Sequence, residues 1–207
     1  MNIARLLYPV QVLGPGKRIG IWFCGCHRRC KGCSNPELWY ENVRYEISAD
    51  DVITLIDRIV GERAVDGFTI TGGEPFDQAH ALSVLIGKLL PINRDILIYS
   101  GYTLAELQKS GDPDVRFILD HTAVLIDGVY MEERNTDVPM RGSDNQIIHV
   151  LNDRYRALYD HYLQNANNQI QNFVGENDVF SVGIHAPDFQ RKIQPLLQSR
   201  IGGTDNE

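Results

Sequence analysis

The chain has 207 residues, 43% of them hydrophobic, with a formal net charge of −7 and a pI near 5.3. That length supports one well-buried core and a single domain over residues 1–207, and the acidic balance argues against a nucleic-acid-binding surface, which is normally basic. No apolar run is long enough to cross a bilayer, and the N-terminus lacks the features of a secretory signal, so no membrane is involved and a cytoplasmic protein with reduced thiols is expected.

Residues 3–13 are mostly apolar and end at the turn Gly14-Pro15-Gly16-Lys17-Arg18. Ile19 to Phe23 reads as a short buried strand. It feeds a loop that holds all four cysteines, Cys24, Cys26, Cys30 and Cys33. A disulfide framework does not fit, because such scaffolds belong to small secreted chains far denser in cysteine. The inner three are spaced C-x3-C-x2-C, which can wrap three thiolates around one compact inorganic centre. Iron–sulfur clusters are usually held by four cysteines, so three would leave one iron open to a small molecule. Spacing alone also leaves zinc open, with Cys24 as a fourth thiolate closing a tetrahedral site. His27, Arg28, Arg29 and Lys31 add positive charge, suited to thiolates, to solvent or to an acidic partner.

After the loop, Trp39 reads as the lid of a local core. Ser48 begins a helix with Asp51 completing an approximate capping box, and Val52, Leu55, Ile56 and Ile59 mark one apolar face before Gly61. Phe68 to Thr71 is a strand that breaks at Gly72-Gly73-Glu74-Pro75. A second helix starts near Asp77, with Leu82, Leu85, Ile86 and Leu89 on one face, and stops at Pro91. Asp95 to Tyr99 is a strand ending at Ser100-Gly101, and Thr103-x-x-Glu106 caps a short helix through Gln108. Thr122 to Ile126 is a further strand, ending at Asp127-Gly128.

The second half is less regular. Residues 130–145 read as a loop, 152–163 as a helix, 165–172 as an Asn/Gln-rich connection and 179–184 as a strand. A terminal helix over 187–198 and a frayed tail are expected. His121, His149, His161 and His185 show no ligand spacing and read as ordinary polar or packing residues. The alternation of strands and helices is the signature of parallel βαβ units. Right-handed crossovers would curl them into an open, partial βα barrel. The cysteine loop, Gly72-Gly73-Glu74, Ser100-Gly101 and Asp127-Gly128 would then converge on one rim.

Paired glycines at a strand end let a backbone approach a ligand closely. Placed one helix after a C-x3-C-x2-C loop, they make the chain resemble the radical S-adenosylmethionine (SAM) enzymes. Within that superfamily it is most similar to the anaerobic ribonucleotide reductase activating proteins, over about residues 12–150. The matching pieces are Gly14 to Arg18, Gly25-Cys26 through Asn35-Pro36-Glu37-Leu38-Trp39, Thr71 to Pro75, Tyr99 to Thr103, Val124 to Gly128, and Arg141 to Gln146. One departure is Gly32, where the superfamily often has an aromatic residue.

The resemblance implies an α/β fold of radical SAM type and a [4Fe-4S] cluster held by Cys26, Cys30 and Cys33. SAM would chelate the open iron, with Gly72, Gly73, Glu74 and Ser100 lining its site and the Gly32 and Ser34 backbone near its adenosyl part. One electron would cleave SAM to methionine and a 5′-deoxyadenosyl radical. The implied partners are a large glycyl-radical enzyme, anaerobic ribonucleotide reductase foremost, and a flavodoxin- or ferredoxin-type electron donor. Residues 151–207 would complete or cover the barrel. Two other readings stay open: a radical SAM enzyme acting on a peptide or small metabolite, and a non-catalytic metal-binding interaction module.

Overall fold

A computed structural model describes residues 1–175, 179–187, 189, 191 and 192. Among these residues the first half runs β1 (Ile3–Val10), β2 (Arg18–Phe23), α1 (Ala49–Val60), β3 (Gly67–Gly72), α2 (Ala79–Leu89) and β4 (Ile96–Ser100). It continues through α3 (Leu104–Lys109), α4 (Pro113–His121), β5 (Val124–Asp127), β6 (Ile147–Val150), α5 (Arg156–Asn165), β7 (Ile170–Val174) and β8 (Val179–Gly183).

One six-stranded sheet has the order β1-β2-β3-β4-β5-β6. Strands β2 to β5 are parallel, each beside its successor in sequence, so every crossover turns the same way and stacks α1 to α4 on one face. Alternate residues of the pleat, Ile19, Ile21, Phe23, Phe68, Ile70, Ile96 and Ile98, meet Val52, Ile56, Leu82, Leu85 and Ile86 there. β1 and β6 pair antiparallel at the two edges. The sheet is therefore open, a mixed α/β layer with no closed barrel.

The opposite face carries Trp22, Leu97, Val124 and Ile126. It is covered by Tyr159 of α5, by Met140 and by Val182 of β8, which pairs only with β7 in a separate two-stranded sheet. Residues after β6 thus complete the second layer. Further ties run from the Gln171 amide to the Pro9 carbonyl at 2.7 Å and from the Tyr159 hydroxyl to Asp95 at 2.7 Å.

Helix termini follow local chemistry. The Ser48 hydroxyl accepts the Asp51 N–H at 3.1 Å, and Gly61 closes α1 by donating to the Asp57 carbonyl at 2.8 Å. Thr103 and Glu106 form the expected reciprocal box at α3. Four elements were not expected: α4, β6, β7 and β1, whose stretch reads in sequence only as apolar. The expected helix over 187–198 and the tail fall outside the described residues, apart from residues 187, 189, 191 and 192. No helix among the described residues is long and apolar enough to cross a membrane.

Candidate cofactor site

The parallel strands end on one rim, and the loops that leave them surround a cavity. Cys26, Cys30 and Cys33 line it, together with Gly72, Gly73, Glu74 and Ser100. The site residues expected from sequence are therefore gathered, with one exception. Gly32 lies off this cavity and lines a second, adjoining one, which shares Ser34, Tyr130 and His185 with the first.

The cysteine loop is pinned at its base, where the Gly25 and Cys26 N–H groups donate to the Leu38 and Trp39 carbonyls at 2.8 and 2.9 Å. Burial pushes all three thiols up in pKa. Backbone N–H groups pull the other way: those of Arg28 and Arg29 act on Cys26, that of Tyr130 on Cys30 and that of Asn35 on Cys33. The loop so offers each sulfur the donors that anionic sulfur needs. The basic side chains contribute less. Arg28 stacks on Tyr102 at 4.0 Å, Arg29 lies over Tyr40 at 4.6 Å, and His27 contacts Asp77 at 2.8 Å. Of the four, only Arg28 figures among the leading influences on a thiol, favouring the Cys30 thiolate.

Cys24 stands apart. It is fully buried in an apolar cluster with Val10, Leu13, Trp22, Leu38 and Val182, and its thiol donates to the Tyr40 carbonyl at 2.9 Å. Among the described residues, no three His, Cys, Asp or Glu side chains gather closely enough to chelate a single ion.

The glycine pair has a second purpose that sequence reasoning missed. A Cβ on Gly72 would lie 2.3 Å from the Phe23 carbonyl oxygen, and one on Gly73 would lie 2.2 Å from that of Gly25. Gly72 also has φ of +111°, a conformation that favours glycine. Their absence of side chains lets Gly73 and Glu74 donate to the Phe23 and Gly25 carbonyls, each at 2.8 Å. The strand end and the cysteine loop are thereby bonded into one unit.

Glu74 is buried, and its carboxylate is engaged by the chain itself. It accepts from the Gly101 N–H at 2.6 Å, the Ser100 hydroxyl at 2.9 Å and the Phe76 N–H at 3.1 Å. Burial nevertheless outweighs these donors and pushes its pKa up to about 7. Asp127 points elsewhere: it accepts the Leu104 N–H at 2.6 Å and lies 2.9 Å from His149.

Trp39, Tyr99, Gln146 and His185 line the same cavity and were not singled out as site residues from sequence. The indole N–H of Trp39 acts on Cys33 to favour its thiolate. The Tyr99 hydroxyl and His185 Nδ1 are buried without a hydrogen-bond partner among the described residues. Nothing in their spacing signals this, since His185 follows Cys33 by about 150 residues and reaches the rim only through β8.

A family model described as a 4Fe-4S single cluster domain matches residues 12–149. The anaerobic ribonucleoside-triphosphate reductase-activating protein of Vibrio cholerae serotype O1 is 35% identical over 153 residues, covering 69% of this chain and 94% of that protein. The protein of the same name from Escherichia coli K12 is 29% identical over 155 residues, 70% of this chain and 96% of its own. The pyruvate formate-lyase-activating enzyme of Listeria monocytogenes serovar 1/2a is 35% identical over 71 residues, 33% of this chain and 29% of its own.

Proposed function

We propose, from the premise that this chain belongs to the family of anaerobic ribonucleoside-triphosphate reductase-activating proteins, that it is a radical SAM activase. It cleaves SAM reductively at a [4Fe-4S] cluster and installs a glycyl radical on a large partner enzyme, anaerobic ribonucleoside-triphosphate reductase foremost. The observation that carries this reading is the segregation of the cysteines. Three line one cavity with the glycine-rich strand end, while the fourth is hydrogen-bonded inside an apolar cluster. A four-thiolate zinc site would need Cys24 among the rest.

The residues present fit the cofactors: three half-buried sulfurs, each with backbone donors, face a cavity lined by polar atoms that lack a partner among the described residues. Cys26, Cys30 and Cys33 would hold the cluster. Gly72, Gly73, Glu74 and Ser100 would line the SAM site, with Gly32 and Ser34 beside its adenosyl part. When bound, the pair supplies one-electron reductive cleavage and hydrogen-atom abstraction. The protein supplies position. Because Gly73 and Glu74 are bonded to Phe23 and Gly25, the two halves of the site move together. Ser100, Gly101 and Phe76 hold the Glu74 carboxylate still, and Trp39 and Tyr99 exclude water.

The chain acts as a single domain with a partial-barrel core over about 12–150, and residues 151–207 cover it. A flavodoxin- or ferredoxin-type donor would deliver the electron in the reducing cytoplasm, where four free cysteines persist.

Anaerobic reconstitution tests the reading. About four irons and four sulfides should bind per chain, as one cubane cluster requires. Cys26→Ala, Cys30→Ala or Cys33→Ala should each abolish the cluster, and Cys24→Ala should spare it. With a partner deuterated at its glycine α-carbon, 5′-deoxyadenosine should acquire deuterium while a persistent radical appears on the partner by electron paramagnetic resonance. Stoichiometric zinc without iron–sulfur absorption would reject the reading. Deuterium arriving from a free metabolite, with no radical on any protein, would favour a small-molecule enzyme.

A further inference from the structure

The stretch matched by the family model ends at residue 149, yet the cavity has a wall that comes from beyond it. Ser181, Val182, Gly183, Ile184 and His185 all line the cavity, as the cysteine loop does. The wall is anchored. Val182 packs with Trp22 and Leu38, and the Gln171 side chain, on the strand paired with β8, both donates to Pro9 and accepts from the Gln11 N–H at 3.0 Å.

His185 is the polar residue of that wall whose bonding is incomplete. It is 8% exposed, and its ring lies tilted against Phe189 with centroids 3.9 Å apart. Its carbonyl accepts from the Asn135 amide at 2.9 Å, and its Nε2 lies 3.0 Å from the Ser181 hydroxyl. Ring and backbone are thus both fixed. The remaining nitrogen, Nδ1, is buried and has no partner among the described residues. Burial also pulls the ring's pKa down to about 4, so the imidazole is neutral and one nitrogen carries the proton. A buried polar atom with no bond within the chain is costly unless something else supplies one.

We infer that His185 Nδ1 hydrogen-bonds the nucleoside part of the bound SAM, so that the segment after β8 completes a cofactor pocket which the family region leaves open. This rests on the function proposed above. The nucleoside part is favoured over the amino-acid part for two reasons. The amino and carboxylate groups of SAM would be taken up by the open iron and the strand-end glycines. His185 also borders the adjoining cavity together with Gly32 and Ser34, which flank the last cysteine. A ribose hydroxyl both donates and accepts, so it satisfies Nδ1 whichever tautomer the Ser181 contact selects.

The test is equilibrium binding of SAM to the full-length reconstituted protein. His185→Phe keeps an aromatic ring against Phe189 and removes both nitrogens. It should retain iron, sulfide and visible absorption while SAM affinity falls about tenfold, the usual scale for losing one buried hydrogen bond. His185→Asn, which restores a polar atom near the Nδ1 position, should recover part of the loss. Affinity for 5′-deoxyadenosine should fall in parallel, and affinity for methionine should not change. His185→Phe binding SAM as tightly as the unaltered protein would overturn the inference, as would a loss that falls on methionine instead. If His185→Phe cannot hold its cluster, comparing His185→Asn with His185→Leu carries the same test. An unaltered protein that holds its cluster but binds no SAM would instead overturn the function on which the inference rests.

Discussion

The two ends of the parallel sheet both bury polar groups, and they do so in opposite ways. Where the strands begin, Arg18 is fully buried and every arm of its guanidinium is occupied. Nε donates to the Thr69 hydroxyl at 2.7 Å, Nη1 to Asp95 at 3.0 Å, and Nη2 to the Phe68 and Asp95 carbonyls at 2.6 and 3.0 Å. The Tyr159 hydroxyl completes the set on Asp95 at 2.7 Å. Where the strands end, the Tyr99 hydroxyl and His185 Nδ1 are buried and unpaired among the described residues. A closed network specifies a fold, whereas unpaired buried atoms around a cavity mark a place where something else binds. The contrast separates the structural end of the sheet from the working end without reference to any relative.

The largest expected effect lies at the closed end. Arg18→Met would leave the Asp95 carboxylate buried without its cation. Breaking a buried pair from one side costs about 3–5 kcal/mol, so the free energy of unfolding read from urea denaturation at neutral pH should drop by that amount. A loss below about 1 kcal/mol, the scale of an exposed ion pair, would show that the end is not closed.

At the open end the corresponding acid is Glu74, and its expected signature is pH dependence. Its pKa is raised by burial to about 7 from an ordinary 4.5. Between those values the folded protein keeps a proton that the unfolded chain has released. Stability contributed by the protonated form is therefore complete at low pH and is lost as pH rises through about 7. The full difference is about 3 kcal/mol by the usual 1.36 kcal/mol per pKa unit. In cluster-free protein, Glu74→Gln should flatten this part of the stability–pH curve. An unchanged slope between pH 5 and about 7 would show that the rim is wetter than its geometry indicates.

The same contrast explains what could be read from sequence. Strands β2 to β5 carry near-continuous apolar runs because both faces are buried, and such runs are visible in one dimension. α1 and α3 announce themselves by caps. β7, with the sequence IQNFV, alternates exposed and half-buried positions and sits in an Asn/Gln-rich stretch, so only its pairing with β8 makes it a strand. α4 was legible in principle, since Asp112 caps it and Pro113 opens it, but its apolar face is only Val115 and Ile118. The cysteine and glycine motifs were legible because their chemistry depends on local spacing. His185, Tyr99 and Trp39 were not, because their meaning lies in a cavity assembled from distant segments. Spacing alone left Cys24 open as a fourth thiolate; the resemblance set it outside the triad, and its contact with Tyr40 shows where the thiol goes instead.

Two tyrosines give the smallest and most direct comparison. Tyr159 and Tyr99 both have buried hydroxyls on the same face of the sheet, and burial raises the pKa of each. They differ in bonding: Tyr159 donates to a carboxylate that also pairs with Arg18, and Tyr99 donates to nothing among the described residues. Tyr159→Phe removes a charge-assisted bond and should cost roughly 1.5–3 kcal/mol. Tyr99→Phe removes an unpaired polar atom from an apolar setting, which should leave cluster-free stability within about 0.5 kcal/mol or raise it slightly. Urea denaturation of the two variants beside the unaltered protein reads both values. Equal losses would erase the distinction between the ends. A loss at Tyr99 that appears only in SAM-loaded protein would sharpen it, because the missing partner of the hydroxyl would then be the ligand.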